Sequence, residues 1–580
     1  MARAMGRDAG GTAPAVLRRG WSAHLPTILL ASCMFFTGAA GLVSEYILST
    51  VSTYILGNSI EQFSVIIALM LLMMGLAGYL QRYLSDRHLL DKFILVESSL
   101  ALLAGFAPLA IYASFGYLNS HFRLIQYFFV ISIGLLIGFE IPLVLRINQR
   151  YVKNLGANLA STYAFDYVGS FVGALVWTYV LLRTFPITEI SFIIAGVNFA
   201  IAAVTFAYFL SRGLITYRRL TLAAVLVTVA ALVYGYAQNR DWSQLLEQRF
   251  YRDPVVFSEL TRYQQLALTH SSSANDYRFF INGNLQFSSV DEAIYHEHLV
   301  HPVMSLVPDR RRVLVLGGGD GLALRELLKY PRVETVTLVD IDPAIIRVAT
   351  THPVLNMLNE DAFADARVSA QPSPGVTASG ERAILQQVPK RGYAGGDVPL
   401  EPVGRVEVFT VDADRFLGEV GGAWNAVVID LPDPSSIELS KLYSREFYGK
   451  VRRVLTPGGM VALQATSPYH AKESFLAINR TLQAAGFQTL PYHDNVPSFG
   501  DWGWILAWYD APETEIRGKL ASLRSFSVPT RYLTPEVVRQ ALVFGKGRLE
   551  TERTDISTLM YPRLLDYYRY ESWRGERRAP

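Results

Sequence analysis

Cysteine is almost absent from this sequence. Among 580 residues there is one, Cys33, and it lies inside an apolar run. No disulfide can form within the chain, so the sequence is not that of a secreted protein stabilised by disulfide bonds. Charged residues are also scarce, at 18%, and the net charge is only +3. This low charge predicts no nucleic-acid partner.

Apolar residues are abundant, but they are spread unevenly. They make up 51% of the chain. The mean hydropathy of +0.23 is high for a soluble protein and low for one that lies in a membrane throughout. The chain is also longer than one ordinary domain. The composition therefore predicts a membrane part and a soluble part.

The first part of the chain contains seven apolar runs of about twenty residues each, the length of helix that crosses a lipid bilayer. A basic segment, 1–24, precedes the first run. The two together would suit a cleaved signal peptide, but six further runs favour a retained first helix. We predict an α-helical multi-pass membrane domain over 25–240. Its runs are 25–44, 60–80, 93–115, 123–145, 162–182, 188–210 and 221–238.

Two features of these runs bear on packing and function. The pairs Gly134/Gly138 and Gly169/Gly173 have the GxxxG spacing that lets two helices pack closely.

Four acidic residues also lie in or at the ends of these runs. Ionisable groups in a membrane are costly and often functional. The acids here hydrogen-bond within the bundle or lie at the membrane interface, or they form a cavity that attracts cations. They are Glu45, Glu97, Glu140 and Asp166.

From Gln238 onwards the sequence changes to short alternating runs separated by loops. Gln264–Leu268 and Tyr277–Ile281 predict a β-hairpin within a small β subdomain, 241–310. Strand and helix patterns then alternate, which predicts a doubly wound α/β domain over 311–545 and a tail, 546–580. The predicted parallel strands are Val313–Leu316, Thr335–Val339, Val406–Thr410, Ala426–Ile429 and Met460–Gln464.

A glycine-rich turn follows the first of these strands. Gly317, Gly319 and Gly321 are spaced GxGxG, which is neither the GxGxxG of a dinucleotide site nor a phosphate-binding Walker loop. The glycines allow the backbone to approach a ligand, and Asp340 ends the next strand, where an acid can bind ribose hydroxyls. This pattern suits an adenosine-type nucleoside without phosphate.

An aspartate, Asp320, lies inside the turn and narrows the choice of nucleoside. It would repel the carboxylate of S-adenosylmethionine and attract the ammonium group of the decarboxylated form. The residue therefore favours aminopropyl transfer over methyl transfer. Two further acids, Asp430 and Asp433, follow another strand, where a carboxylate can accept a proton from an attacking amine.

The motifs together resemble the spermidine synthases, the polyamine aminopropyltransferases, and the apolar front half is similar to the membrane-attached bacterial branch of that family. The resemblance runs from about Tyr263 to Gly545. It rests on RYQ at 262–264, NGNLQ at 282–286, DEAIYHEHLVHP at 291–302, GGGDG at 317–321, VDID at 339–342, VDADRFL at 411–417 and DLPDP at 430–434.

The resemblance implies a Rossmann-like (methyltransferase-like) domain that makes spermidine from putrescine and decarboxylated S-adenosylmethionine, with no metal and no tightly bound cofactor. It implies that Asp430 is the base. The nucleoside would be bound by Gln264, Gly317, Gly319, Asp340, Asp412 and Ala413. The aminopropyl group and diamine would be bound by Gln286, Tyr295, His296, Asp320 and Asp433. The family commonly forms homo-oligomers, dimers or tetramers.

The chain departs from the family pattern in three places. Asp340 stands where the family usually has glutamate, Ser435-Ser436 replaces glycine-proline, and a late tyrosine falls near Val496. These changes concern ribose binding, the segment over the diamine and the fit of the diamine tail. Residues 369–404 are rich in Gly, Pro, Ala and Ser, and we interpret them as a flexible surface insertion.

Three questions stay open at this level. The enzyme could transfer a methyl group or use another amine, or the chain could be a polyamine transporter or sensor with a nucleoside-binding module.

The indications of membrane topology conflict with one another. Basic residues cluster in alternate loops, which with seven spans places the soluble half outside the cell. The nucleoside is made inside cells, so we expect a catalytic domain in the cytoplasm, attached to the bacterial inner membrane.

Overall fold

The computed structural model describes residues 16–56, 59–118, 121–364, 405–421 and 423–570. The chain divides into two compact units, 1–252 and 253–580. The predicted insertion, 369–404, lies outside the described residues, as do 1–15 of the basic segment and 571–580 of the predicted tail.

The first unit is helical. Seven of its helical stretches are long and apolar enough to cross a membrane, and each overlaps one predicted run. The last predicted run belongs to a helix that continues past residue 240. The helices are α1 (Val16–Leu56), α2 (Ser59–Leu80), α3 (Leu89–Tyr117), α4 (Phe122–Asn148), α5 (Leu155–Val176), α6 (Leu182–Thr184), α7 (Ile187–Ser211) and α8 (Arg218–Glu247).

Glycine allows two pairs of these helices to come into backbone contact. A Cβ on Gly169 would lie 1.9 Å from the carbonyl oxygen of Phe35, and one on Gly138 would lie 2.6 Å from Cα of Met74. Helix α5 therefore packs closely on α1, and α4 on α2. The close packing predicted from both GxxxG pairs is confirmed.

The second unit begins with a small antiparallel sheet in the order β1-β2-β3-β4. The predicted hairpin is present as the second and third strands, which pair Leu268 with Phe279. The four strands and the helix that follows are β1 (Val255–Leu260), β2 (Gln265–Ser271), β3 (Asp276–Ile281), β4 (Asn284–Ser288) and α9 (Glu292–Leu306).

A seven-stranded sheet forms the centre of this unit, in the order β10-β11-β9-β8-β5-β6-β7. The five predicted strands are all present, and each pair of neighbours among them is parallel. Two antiparallel strands that the sequence analysis did not predict extend one edge. The strands are β5 (Arg312–Gly317), β6 (Thr335–Asp340), β7 (Arg405–Thr410), β8 (Trp424–Asp430), β9 (Leu455–Gln464), β10 (Gln488–Val496) and β11 (Gly500–Trp508).

Helices cover both faces of this sheet and bury its alternating side chains. Val313 and Val315 of β5 join one hydrophobic core, and Leu314 and Leu316 join the other. The helices are α10 (Leu322–Leu328), α11 (Pro343–Thr351), α12 (Pro353–Leu358), α13 (Ala413–Glu419), α14 (Ile437–Ser440), α15 (Arg445–Arg453), α16 (Lys472–Ala484), α17 (Glu513–Ser522), α18 (Pro535–Ala541) and α19 (Arg563–Tyr570).

The last helix lies in the segment that the sequence analysis treats as a tail. Its Leu564 is fully buried, and Leu564 and Tyr567 belong to the second core of the α/β sheet. The described part of 546–580 is therefore part of the packed domain.

Candidate active site

Two strands that end in aspartate lie on either side of the glycine turn at one edge of the central sheet. Strand β5 lies between β8 and β6 and runs parallel to both, with Gly317 beside Asp430 in the register. Asp340 ends β6 one strand away. Parallel strands place their carboxyl ends at the same edge, where doubly wound sheets bind ligands. The sheet thus brings the glycine turn to the candidate base.

The glycines of the turn are required by close contacts. Gly317 has φ +84°, and a Cβ on it would lie 2.0 Å from the carbonyl oxygen of Asp430. A Cβ on Gly319 would lie 2.7 Å from Oδ2 of Asp340. A side chain at either position would collide with a neighbouring strand end, so the turn keeps its backbone open to a ligand.

Asp340, the predicted ribose ligand, also supports the turn. Its Oδ2 accepts the N–H of Gly319 at 3.1 Å, and its Oδ1 accepts the N–H of Asp342 at 2.9 Å. Burial raises the pKa of Asp340 to about 6, and these hydrogen bonds oppose the rise. A ribose hydroxyl would share oxygens that already bind the backbone.

Gln264 lies in the loop between β1 and β2, and that loop is tied to the same edge. The hydroxyl of Thr261 donates to Oδ2 of Asp342 at 2.6 Å, and its Oγ1 accepts the N–H of Gln264 at 3.0 Å. Asp342 is two residues beyond Asp340. The small sheet thus contributes a loop to the nucleoside side of the site.

Asp320 lies at the start of α10. Its Oδ1 accepts the N–H of Leu322 at 2.9 Å, which orients the carboxylate. Burial raises the pKa of Asp320 to about 6; the charge of His296 opposes this rise and that of Asp430 adds to it. The charges of Asp320 in the turn, His296 in α9 and Asp430 in β8 therefore influence one another.

Two predicted residues of α9 lie beside Asp430. The hydroxyl of Tyr295 donates to its Oδ1 at 2.8 Å, and Nε2 of His296 lies 4.0 Å from its Oδ2. Burial raises the pKa of Asp430, while the charge of His296 and the Tyr295 hydrogen bond lower it. The carboxylate is therefore a stronger base than an exposed aspartate.

His296 is held by Glu292, which the sequence analysis did not assign a role. Nδ1 of His296 lies 3.1 Å from Oε2 of Glu292, whose two oxygens also bind the guanidinium of Arg325 at 2.8 and 2.9 Å. Burial disfavours the imidazolium, but Glu292 and then Asp430 and Asp320 raise the pKa of His296 to about 9. This pair could have been inferred from the sequence, because Glu292 and His296 in DEAIYHE are four residues apart and such residues are neighbours on a helix.

Asp433 is surrounded by neutral donors. Gln464 donates to its Oδ1 at 3.2 Å, while Thr466 and Tyr568 donate to its Oδ2 at 3.3 and 2.9 Å. Burial raises the pKa of Asp433, and the three hydrogen bonds lower it. Gln464 ends a predicted strand, so its place at this edge could have been inferred. No sequence pattern indicated Tyr568.

Asp412 and Ala413 begin α13, at the end of β7. Oδ1 of Asp412 caps this helix by accepting the N–H of Arg415 at 3.0 Å, and its Oδ2 lies 2.6 Å from Nζ of Lys441. Ala413 is buried. The predicted adenine-binding pair thus lies at the same sheet edge, with a lysine on its acid.

Gln286 is the predicted site residue that the structure does not connect to the acids. It lies in β4, and its Nε2 donates to the carbonyl of Asn284 in the same strand at 3.1 Å. Its predicted contact with a diamine stays a prediction.

One group among the described residues has the spacing of a metal site. It consists of Glu297, His301 and Glu326, all buried. These atoms already bind protein groups, because Nε2 of His301 lies 2.8 Å from Glu326 and the backbone N–H of Leu533 donates to Glu297 at 2.7 Å. The group is an internal polar network of the fold.

Comparison with known proteins gives consistent results. The Spermine/spermidine synthase domain family matches residues 292–378 and 403–517. Polyamine aminopropyltransferase 1 of Streptomyces coelicolor is 37% identical over 94% of this chain and 94% of its own length. Polyamine aminopropyltransferase 1 of Ralstonia nicotianae is 35% identical over 98% of both chains. The solved spermidine synthase from Thermotoga maritima covers 51% of this chain and 87% of its own, with 21% identity and a TM-score of 0.40.

The matches to the two aminopropyltransferases extend over the helical unit as well as the α/β unit. They agree with the transferase motifs at the sheet edge and with the resemblance drawn from the sequence. The chain belongs to the polyamine aminopropyltransferase family.

Proposed function

We propose that the protein transfers the aminopropyl group of decarboxylated S-adenosylmethionine to putrescine. The nitrogen of the diamine attacks the propyl carbon next to sulfur, so that a C–N bond forms and the C–S bond breaks. The electron pair of that bond leaves with sulfur, which becomes the neutral thioether of methylthioadenosine. The amine loses one proton, and the second product is spermidine.

Proton removal is the step that needs a protein group. A primary alkyl amine has a pKa of about 10.4, so near neutral pH it is mostly an unreactive cation. Asp430 is suited to accept the proton, because burial raises its pKa while Tyr295 keeps it oriented. His296 adds a fixed positive charge that keeps Asp430 ionised before the amine binds.

The choice of nucleoside depends on Asp320, and this is the observation that carries the proposal. Its carboxylate lies in the glycine turn and interacts electrostatically with Asp430. A ligand whose tail ends in an ammonium group gains from that charge, while one that also carries a carboxylate is repelled. The decarboxylated nucleoside therefore suits the site better than S-adenosylmethionine.

A paired labelling experiment tests the reaction. The detergent-solubilised full chain is incubated with putrescine and either decarboxylated S-adenosylmethionine labelled in the propyl group or S-adenosylmethionine labelled in the methyl group. We expect label in spermidine from the first alone. Asp430→Asn should abolish turnover and keep nucleoside binding, and Asp414→Asn, whose acid binds Lys450 instead, serves as the matched control. Label transfer from the methyl donor would overturn the proposal.

We propose further that the helical unit spans the bacterial inner membrane and that the catalytic unit faces the cytoplasm. The side chains of Leu72, Leu124 and Phe171 are more than half exposed on the helices. Exposure of these apolar side chains is unfavourable in water but not in lipid. The cytoplasmic side follows from substrate supply. C-terminal fusions to a fluorescent protein and to alkaline phosphatase test it, since phosphatase activity without fluorescence would place the catalytic unit outside.

A second candidate function is binding of a cationic amine by the helical unit, as in a transporter or sensor. Asn198 donates to Glu97 at 3.0 Å, and the fully buried Glu140 lies beside Glu97. Buried acids in a bilayer are commonly functional. The test is uptake of labelled putrescine into proteoliposomes by a variant in which Glu97, Glu140 and Asp166 are all neutralised. Uptake equal to that of the wild type would exclude this function.

A further inference from the structure

The helix α19 reaches the acceptor end of the site from outside the family domain. The Spermine/spermidine synthase domain match ends at residue 517, and α19 comprises Arg563–Tyr570. Its Tyr568 nevertheless donates a hydrogen bond to Oδ2 of Asp433 at 2.9 Å. This contact joins residues 135 positions apart in the sequence.

Asp433 has the features of a carboxylate that binds a cation from solution. It is partly buried, and its three side-chain donors, Gln464, Thr466 and Tyr568, are all neutral. None of the described lysines, arginines or histidines forms an ion pair with it. A carboxylate that is held in place but not neutralised is suited to an ammonium group.

Packing of buried side chains holds α19 in place, and two polar contacts lie beside this packing. Leu564 and Tyr567 are buried in the second core, and the hydroxyl of Tyr567 donates to Oδ2 of Asp555 at 2.5 Å. Nε of Arg569 donates to the carbonyl of Ser435 at 3.1 Å, just after Asp433-Pro434. The helix thus holds both the side chain of Asp433 and the backbone that follows it.

We propose that Tyr568 is a positioning residue for the acceptor amine. By fixing Oδ2 of Asp433, its hydroxyl keeps the carboxylate aimed at the ammonium of the diamine. The C-terminal helix is then part of the amine-binding site. This inference rests on the proposed function and extends it to a residue outside the matched family domain.

Two matched variants test the inference. Tyr568→Phe removes the hydroxyl that donates to Asp433. Tyr567→Phe removes the neighbouring hydroxyl, which donates to the exposed Asp555. We expect Tyr568→Phe to raise KM for putrescine about tenfold, the effect of losing one hydrogen bond to a carboxylate. The KM for the nucleoside and kcat should change less than twofold. Tyr567→Phe should leave all three near wild type.

The outcomes separate this inference from the proposed function. If the wild type does not convert putrescine, the proposed function fails. If the wild type converts putrescine and Tyr568→Phe has an unchanged KM for it, only the role of Tyr568 is overturned. An equal rise in KM in both variants would also overturn it, because the effect would then come from docking of the helix. A rise in KM confined to Tyr568→Phe supports the inference.

Discussion

The ammonium group of Lys441 lies 2.6 Å from Oδ2 of Asp412, whose Oδ1 accepts the N–H of Arg415. Lys441 belongs to the segment that follows Asp433, and Asp412 precedes α13. The acid that family resemblance assigns to adenine therefore has both oxygens engaged within the protein. An adenine amino group has to compete with Lys441 for Oδ2.

This competition predicts the effect of removing the lysine. We expect Lys441→Met to tighten binding of methylthioadenosine by about two- to fivefold, because a partly exposed ion pair is worth at most about 1 kcal/mol. Titration calorimetry measures the change. Lys450→Met, which breaks the ion pair with Asp414, is the control and should leave the Kd unchanged. Weaker binding by Lys441→Met would mean that the lysine contacts the nucleoside itself.

Neutralising Asp320 should reverse the preference between the two nucleosides. We expect Asp320→Asn to weaken binding of decarboxylated S-adenosylmethionine by about 10- to 100-fold, since a carboxylate–ammonium contact in a partly buried site is lost. Binding of S-adenosylmethionine should strengthen, because the repulsion is removed. Competition binding with both nucleosides gives the ratio, and an unchanged ratio would contradict the role of Asp320.

The same residue predicts a pH dependence. The pKa of Asp320 is raised to about 6, so its carboxylate is ionised above that pH and is progressively protonated below it. Affinity of the wild type for the decarboxylated nucleoside should therefore fall as the pH drops through 6. In Asp320→Asn this fall should be smaller, because Asp340, whose pKa is also about 6, is then the remaining nucleoside-binding acid that titrates there. Calorimetric titrations between pH 5 and 8 distinguish the two profiles.

Removing the hydroxyl of Tyr295 should make turnover more sensitive to acid. The hydrogen bond to Oδ1 of Asp430 favours the ionised carboxylate, so Tyr295→Phe raises the pKa of Asp430 further. We expect kcat/KM to fall about tenfold on the acid side of the profile and less at high pH. A uniform loss at all pH values would instead indicate misplacement of the amine.

The ion pair between Glu292 and His296 should stabilise the fold in a limited pH range. The pKa of His296 is raised from 6.5 to about 9, so its contribution is complete below pH 6.5 and is lost as pH rises through 9. The pKa of Glu292 is lowered from 4.5 to about 2, so its contribution is complete above pH 4.5 and is lost as pH falls through 2. Both contributions are therefore complete between pH 4.5 and pH 6.5.

Glu292→Gln tests this pair. At pH 6 we expect the free energy of unfolding to fall by about 3 to 5 kcal/mol, because the buried imidazolium of His296 and guanidinium of Arg325 both lose the carboxylate of Glu292. The difference from wild type should narrow above pH 9, in thermal or denaturant unfolding of the α/β unit within the full chain. Glu513→Gln, which breaks an exposed pair with Arg517, should change little. A similar loss in both variants would contradict the assignment.

Close helix packing in the first unit gives a prediction on stability. Gly169→Ala would place a methyl group against the carbonyl oxygen of Phe35, so α5 has to move away from α1. We expect a loss of about 1 to 3 kcal/mol, measured as a lower melting temperature in detergent. Gly75→Ala meets no atom within 4 Å and is the control. Equal melting temperatures for the two variants would mean that the helices separate without cost.

Much of the fold could be predicted because its signals are local. Each predicted membrane run is a stretch of apolar residues long enough to cross a bilayer, and each parallel strand is a short branched-aliphatic run before a turn. The strands β10 and β11 were missed because Pro491 and Asp494 interrupt β10 and Gly500 and Gly503 interrupt β11, and these residue types are depleted in strands. Their pairing with β9 depends on contacts across the sheet, which a single segment does not reveal.

The site was predictable where its residues lie within one motif. Asp320, Asp340 and Asp430 each end or follow a strand, and the parallel order brings their ends together. Glu292 lies one turn from His296, yet its importance depends on Arg325, which comes from another helix. Lys441 and Tyr568 carry no motif at all, and their partners become visible only in the folded chain.

The sequence by itself determined the seven apolar helices, the alternation of strands and helices, and the acids at the strand ends, because helix and strand periods and turn residues act over a few neighbouring positions. Only the tertiary structure decided which groups hold those acids. The contacts of Tyr295 with Asp430 and of Tyr568 with Asp433 each join residues 135 positions apart. Such pairs form when buried faces pack, and no local pattern encodes which side chains then meet.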